Sequence, residues 1–347
     1  MSSPAPPSGA ATRPRMWQKE EVVHSPGGPA QRTHRWRTCF LSGLALWLAS
    51  VGVTYWTDNH NLLPTVVLLG SFLVPGTFVV WAHERYGQDL GTDRIVACFA
   101  VGGIIGVLGA SLLEYYLLES TIWLYLGVGL IEEAVKAWAL ILLTRNAPAA
   151  GVRHGLVLGA TVGFGFAAFE SAGYAFNAVL TEHGYSLLDL VSTEILRGIL
   201  APVGHGLWTA ILGAVLFHER RGDGRFRFNA PVLLTYLGVS VLHALWDSTH
   251  GIATWIVGRL TETRWQRAVF ELGYLPSPTH HQVELFAFFS TSGLVLVAAL
   301  GLGWLGLIVH RARREGDLPP RRRRRPRPPQ PPLEPHQRWY RPEPPKR

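Results

Sequence analysis

The chain is short of cysteine, of charge and of lysine. Its two cysteines in 347 residues, Cys39 and Cys98, both lie inside apolar runs, so a disulfide scaffold and a cysteine zinc site are excluded and both thiols are expected to be buried. Only 16% of the residues are charged while 48% are hydrophobic, against about 25% charged in an ordinary soluble domain. That deficit argues against a soluble enzyme. Lysine occurs three times among 32 basic residues, at Lys19, Lys136 and Lys346, so arginine is the default cation of this protein. The first 37 residues are rich in Pro, Ser and Arg and lack the short apolar core of a cleavable signal peptide, so the first span is expected to stay as an anchor.

What charge there is sits at the ends. Residues 311–347 hold 13 basic and four acidic residues and residues 1–37 hold six and two, which leaves the middle of the chain at −5 although the whole is +8. Basic tails point to membrane topology and anionic lipid head groups, and no nucleic acid partner is expected. With Arg321–Arg325 set among prolines, the C-terminal tail cannot bury a core and is expected to be disordered, as is the N-terminal one.

A helix needs about 20 apolar residues to cross ~30 Å of hydrocarbon. Eight stretches come close to that length: 38–56, 62–82, 95–118, 121–144, 154–178, 191–217, 231–250 and 285–309. The fold class is therefore an all-α polytopic transmembrane bundle of about eight spans. A membrane-embedded domain over 38–310, with its motif core at 95–250, lies between tails at 1–37 and 311–347. Arginines at 85, 94, 145, 153, 220, 221, 225 and 227 fall in alternate loops, which predicts a multi-pass protein of the cell membrane with both termini cytoplasmic. The expected outer loop 251–284 runs against this with Arg259, Arg264 and Arg267. Gly102 with Gly106 and Gly159 with Gly163 are rows of small residues that let helices approach closely in lipid.

A charged side chain at the bilayer centre costs about 2.5–3.5 kcal/mol on insertion scales, so intramembrane ionisable groups are functional candidates. The fourth span carries Glu132, Glu133 and Lys136, with the lysine one turn from either acid. On the fifth, Glu170 and Tyr174 share a face. The sixth presents His205 between Gly204 and Gly206, and the seventh has His243 and Asp247 four apart. Counted at 1.5 Å per residue, Glu132, Glu133, Glu170, His205 and His243 lie about 10–20 Å from the outer ends of their spans and Asp247 lies shallower, so four successive helices can present them to one cavity. Glu114, Glu119, Glu194 and Arg197 fall near span ends, where snorkelling to the interface accounts for them. Trp208 and Trp246 are expected to pack around the cavity.

Peptide hydrolysis needs an activated water, a stabilised oxyanion and a proton donor for the leaving amine. A carboxylate in an apolar site serves as base and then acid. Two histidines with a carboxylate, His205, His243 and Glu170, also match a catalytic zinc site, although the usual His-Glu-x-x-His helix is absent. Intramembrane Glu, His and Lys also build the relays of proton- or cation-coupled transporters. A non-catalytic relative that binds membrane proteins is a third reading.

The ordered series Glu132-Glu133-x-x-Lys136, Phe169-Glu170-x-x-x-Tyr174, Gly204-His205-Gly206 and His243-x-x-Trp246-Asp247 resembles the PrsW family of intramembrane proteases, related to the CAAX prenyl-protease and bacteriocin-immunity group. The resemblance covers about residues 95–250. It implies a membrane-embedded metalloprotease that cuts membrane proteins, with Glu132 and Glu133 as the essential acid pair and Zn2+ as the metal. His205 and His243 would be ligands or water-activating imidazoles, and Glu170 and Asp247 would complete the site. The expected mechanism has Glu133 as base on a water held by His205 and His243, with Glu132 as the alternative base. Ser171 departs from the asparagine expected after the second-motif glutamate, which leaves the hydrogen bonding around Glu170 open. Arginine-rich, lysine-poor usage looks like a high-GC bacterium.

Overall fold

The computed structural model describes residues 34–148, 150–182, 184–220, 224–272 and 277–318. Of the tails expected to be disordered, 1–37 and 311–347, residues 1–33 and 319–347 lie outside these residues, whereas 35–37 and 311–315 are helical ends of α1 and α11. In chain order the helices are α1 (Arg35–Thr57), α2 (Leu63–Tyr86), α3 (Thr92–Val96), α4 (Gly102–Leu117), α5 (Leu124–Thr144), α6 (Gly151–Val179), α7 (Leu187–Leu200), α8 (His205–His218), α9 (Ala230–Thr261), α10 (Arg264–Glu271) and α11 (His280–Glu315). A two-strand ribbon, β1 (Leu180–Thr181) with β2 (Gly184–Tyr185), joins α6 to α7. Among the described residues, seven helical segments are long and apolar enough to cross a membrane. This is an all-α polytopic bundle. The predicted fourth span, α5, has 21 residues and so about 30 Å of length, but its apolar run is broken by Glu132, Glu133 and Lys136.

Helix α6 forms the centre, packed against α8, α2, α4 and α7. Along one face it carries Gly155, Gly159 and Gly163, and a Cβ at these positions would collide with the carbonyls of Gly213, Thr209 and His205 on α8. Backbone contact replaces side-chain interdigitation here, which is how helices associate where lipid gives no hydrophobic drive. The α4 row meets the same helix, with Gly102 against Val162 and Gly106 against Phe166. A π-turn at Ala97–Val101 links α3 to α4 and lays the Phe99 carbonyl on Gly165 of α6.

Three further expectations need correction. The sixth span, predicted as one helix over 191–217, is broken between α7 and α8 by a 3-10 turn at Ala201–Val203 and by Gly204 at ψ −131°. Pro202 lacks the N–H that a continuous helix needs, and the helix restarts at His205, with Leu207 N and Trp208 N donating to the Gly204 carbonyl at 2.9 and 3.2 Å. The predicted loop 251–284 is mostly helical, because α9 continues to Thr261 and α10 follows. Two capping boxes, Thr263 with Gln266 and Thr279 with Gln282, start α10 and α11, and the two glutamines exchange amide hydrogen bonds at 2.9 and 3.1 Å. Cys98 is buried as expected, whereas Cys39 is exposed on the outer surface of α1.

Candidate functional site

The polar cluster forms where α5, α6, α7, α8 and α9 meet. Gly129 of α5 lies against the Ser240 carbonyl of α9, too close for a Cβ, and Tyr236 Oη donates to the Leu130 carbonyl at 2.8 Å. This close approach brings the next turn of α5, with Glu132 and Glu133, beside His243 of α9.

Lys136 is fully buried and uses all three ammonium protons. It donates to Glu133 Oε1 at 2.7 Å, to Glu132 Oε2 at 3.1 Å and to His205 Nδ1 at 2.8 Å. Its ammonium also sits 4.1 Å from the centre of the Phe166 ring. Glu132 Oε2 faces both imidazoles, 3.8 Å from His205 Nδ1 and 3.6 Å from His243 Nε2. The second nitrogen of each ring is held by another carboxylate. His205 Nε2 lies 3.0 Å from Glu170 Oε2, and His243 Nδ1 lies 3.1 Å from Glu133 Oε1. Asp247 Oδ2 approaches His243 Nε2 at 3.3 Å from the more open side. Trp208, fully buried, flanks both imidazoles, with ring centroids 5.3 Å from His205 and 4.6 Å from His243.

Sequence reasoning accounted for Arg197 and Glu194 by snorkelling, and the structure gives both of them protein partners. Arg197 pairs through Nη2 with Glu170, donates from Nε to Ser171 Oγ at 2.8 Å, and lies 4.1 Å over the Tyr174 ring. The serine that replaces the expected asparagine thus receives the arginine that holds Glu170. Tyr174 is exposed and meets Arg197 rather than Glu170. Glu194 is buried between α1, α2 and α7, where it accepts from Trp47 Nε1 at 2.8 Å. A spacing count from presumed span ends missed both because α7 stops three residues after Arg197, at the break before His205.

A family model described as PrsW family intramembrane metalloprotease matches residues 92–271. The chain belongs to that family. Comparison with curated proteins and with solved structures found no match. The PrsW match runs from α3 to α10 and contains every group of the cluster. As a PrsW-family chain with seven apolar spans, it is a multi-pass membrane protein of an intramembrane metalloprotease family.

A metalloprotease implies a metal, and the donor set fits one. Glu132, His205 and His243 each offer a ligand atom, and the three atoms lie within 4.8 Å of one another. This differs from the expected set, with Glu132 in the place given to Glu170. Glu170 instead stands behind His205, as Glu133 stands behind His243. Carboxylates that fix the far nitrogen of a metal-binding imidazole are the usual outer support of such sites.

Proposed function

We propose that this protein hydrolyses peptide bonds of membrane-protein substrates at the Glu132, His205 and His243 cluster. The observation that carries this reading is the convergence, from three helices, of Glu132 Oε2 with His205 Nδ1 at 3.8 Å and His243 Nε2 at 3.6 Å. These three would hold the metal, His205 through the Nδ1 lone pair that otherwise accepts from Lys136, and imidazole with carboxylate donors suits zinc. When bound, the ion supplies a Lewis acid and an acidified water.

The chain's own residues supply the rest. Of the acid pair, Glu132 reaches the open side, with 9% of its side chain exposed against none for Glu133. With Oε2 facing the imidazoles, Glu132 takes the proton of the attacking water on Oε1 as the new C–O bond forms. It returns that proton to the amide nitrogen as the C–N bond breaks. This replaces the expected assignment of the base to Glu133, which holds Lys136 and His243 in place. Glu170, itself held by Arg197, orients His205, and Glu133 orients His243 from Nδ1, while Asp247 stands 3.3 Å from Nε2 on the open side. The arginine-rich helix ends support cytoplasmic termini in a cell membrane, with the basic tails on anionic lipid.

The test is cleavage of a single-span membrane substrate by the purified protein in proteoliposomes. Glu132→Gln and His205→Ala are expected to lower the rate by about 10²–10⁴-fold, the range for a lost acid–base group. Full cleavage by either variant would overturn the assignment.

A further inference from the structure

A cavity lies on the opposite face of α8 from the imidazole cluster. It is a cleft of about 380 Å³ with an almost wholly apolar lining. Helix α2 packs on α1, α6 and α7, while α11 packs on α8 and α9. Between α2 and α11 an open channel remains, floored by Ala160 and Phe164 of α6 and by Leu207 of α8, and walled by Trp81 and Leu305. Its α11 wall runs from Leu302 to Arg313, about 16 Å at 1.5 Å per residue. That is about half of the ~30 Å hydrocarbon core, or one leaflet.

One end of this channel is cationic. Arg313 lines it, and its Nε is buried without a hydrogen-bond partner among the described residues. Arg153 lines the same end, but its guanidinium is committed to Asp89 and to the Tyr86 carbonyl. Beyond Arg313 the chain turns back at Gly316, where φ of +87° suits glycine. Leu318 then closes the end of the cleft, its N–H on the Ala312 carbonyl at 3.2 Å. A guanidinium N–H left unpaired in apolar surroundings is costly unless an acceptor comes from outside the protein.

From this we infer that the cleft binds one anionic phospholipid, with an acyl chain along the channel and its phosphate accepting from Arg313 Nε. The channel is one leaflet long, apolar along its length and cationic only at its end, which is the pattern of such a lipid. Arg313, although it falls within the basic stretch 311–347, belongs to the last turn of α11.

The experiment uses the full chain in nanodiscs of phosphatidylcholine containing a phosphatidylglycerol with a photoreactive acyl chain, and adducts are mapped by mass spectrometry. Adducts are expected on the α2 and α11 walls. Arg313→Gln should lower them by about tenfold, the loss of one charge-assisted hydrogen bond. Ala160→Leu, which fills the floor and leaves the arginine, should lower them similarly, whereas Arg314→Gln at the exposed neighbour should not. Equal labelling in wild type and both cleft variants would overturn the inference. So would adducts displaced by inorganic phosphate alone, which mark a plain anion site, or displacement by a transmembrane substrate peptide, which marks a substrate groove.

Discussion

Lys136 Nζ and His205 Nδ1, 69 residues apart in the chain, meet at 2.8 Å. An ammonium only donates, so Nδ1 accepts, and the ring proton must sit on Nε2, where it is donated to Glu170 Oε2 at 3.0 Å. One lysine therefore fixes the tautomer of the histidine. It does so while neutralising two carboxylates in a low-dielectric site, where unpaired charge is most costly.

The three acceptors around Lys136 explain why this arginine-rich protein uses lysine there. Three protons on a tetrahedral nitrogen reach three sides, whereas a guanidinium fork is planar. Lys136→Arg should fold but cleave about 10–100-fold more slowly. Lys136→Met should lose about 3–5 kcal/mol of stability, the cost of stranding one partner of a buried pair. Substrate cleavage and thermal unfolding of the purified variants check both, and wild-type activity in Lys136→Arg would contradict the geometry.

Arg197 acts on the reaction only through Glu170 and Ser171. Arg197→Gln should lower kcat by about 10–100-fold and leave KM near its wild-type value, because orientation of His205 is lost and substrate contacts are not. Steady-state kinetics separate the two, and a change confined to KM would place Arg197 in substrate binding instead.

Gly163 is the contact on which His205 rests. A Cβ there would collide with the His205 carbonyl and lie 2.9 Å from Thr209 Oγ1. Gly163→Ala should cost about 1–3 kcal/mol through overpacking and displace the start of α8, so activity falls further than stability. Gly198→Ala is the control, since its Cβ meets only Val74 Cγ2 at 3.5 Å. Equal unfolding temperatures and rates for the two variants would contradict this packing account.

Outside the membrane, Asp89 joins the α2–α3 turn to the first turn of α6. Partial burial pushes its carboxyl up, but hydrogen bonds from Arg153 and His154 outweigh this and hold it at about 2. Because the folded pKa is below the ordinary value of 3.8, the clamp is complete above about pH 4 and is lost as pH falls toward 2. The carboxylate is 48% exposed, so solvent screening keeps the effect small. Unfolding temperatures from pH 6 to about 2 should fall less steeply in Asp89→Asn than in wild type, and identical profiles would remove the clamp from the account.

The bundle was legible because a run of about 20 apolar residues has few other uses, and the intramembrane acids and histidines stood out against it. The α7–α8 break was not, since hydropathy sums over Pro202 and Gly204 without registering the backbone. Arg197 and Glu194 were hidden for that reason, as they looked terminal only while the helix ends were guessed. The exchange of Glu132 for Glu170 among the candidate ligands depends on ring orientation, which spacing does not encode. Glu170 could be placed only once Arg197 was seen to hold it.

The most direct test of the central claim is substrate cleavage in proteoliposomes made up in heavy-oxygen water. If the protein is a hydrolase acting through Glu132, the N-terminal product from wild type carries one heavy oxygen in its new carboxyl terminus, and a correctly folded Glu132→Gln variant gives no product. Labelled product from that variant at the wild-type rate would contradict the account.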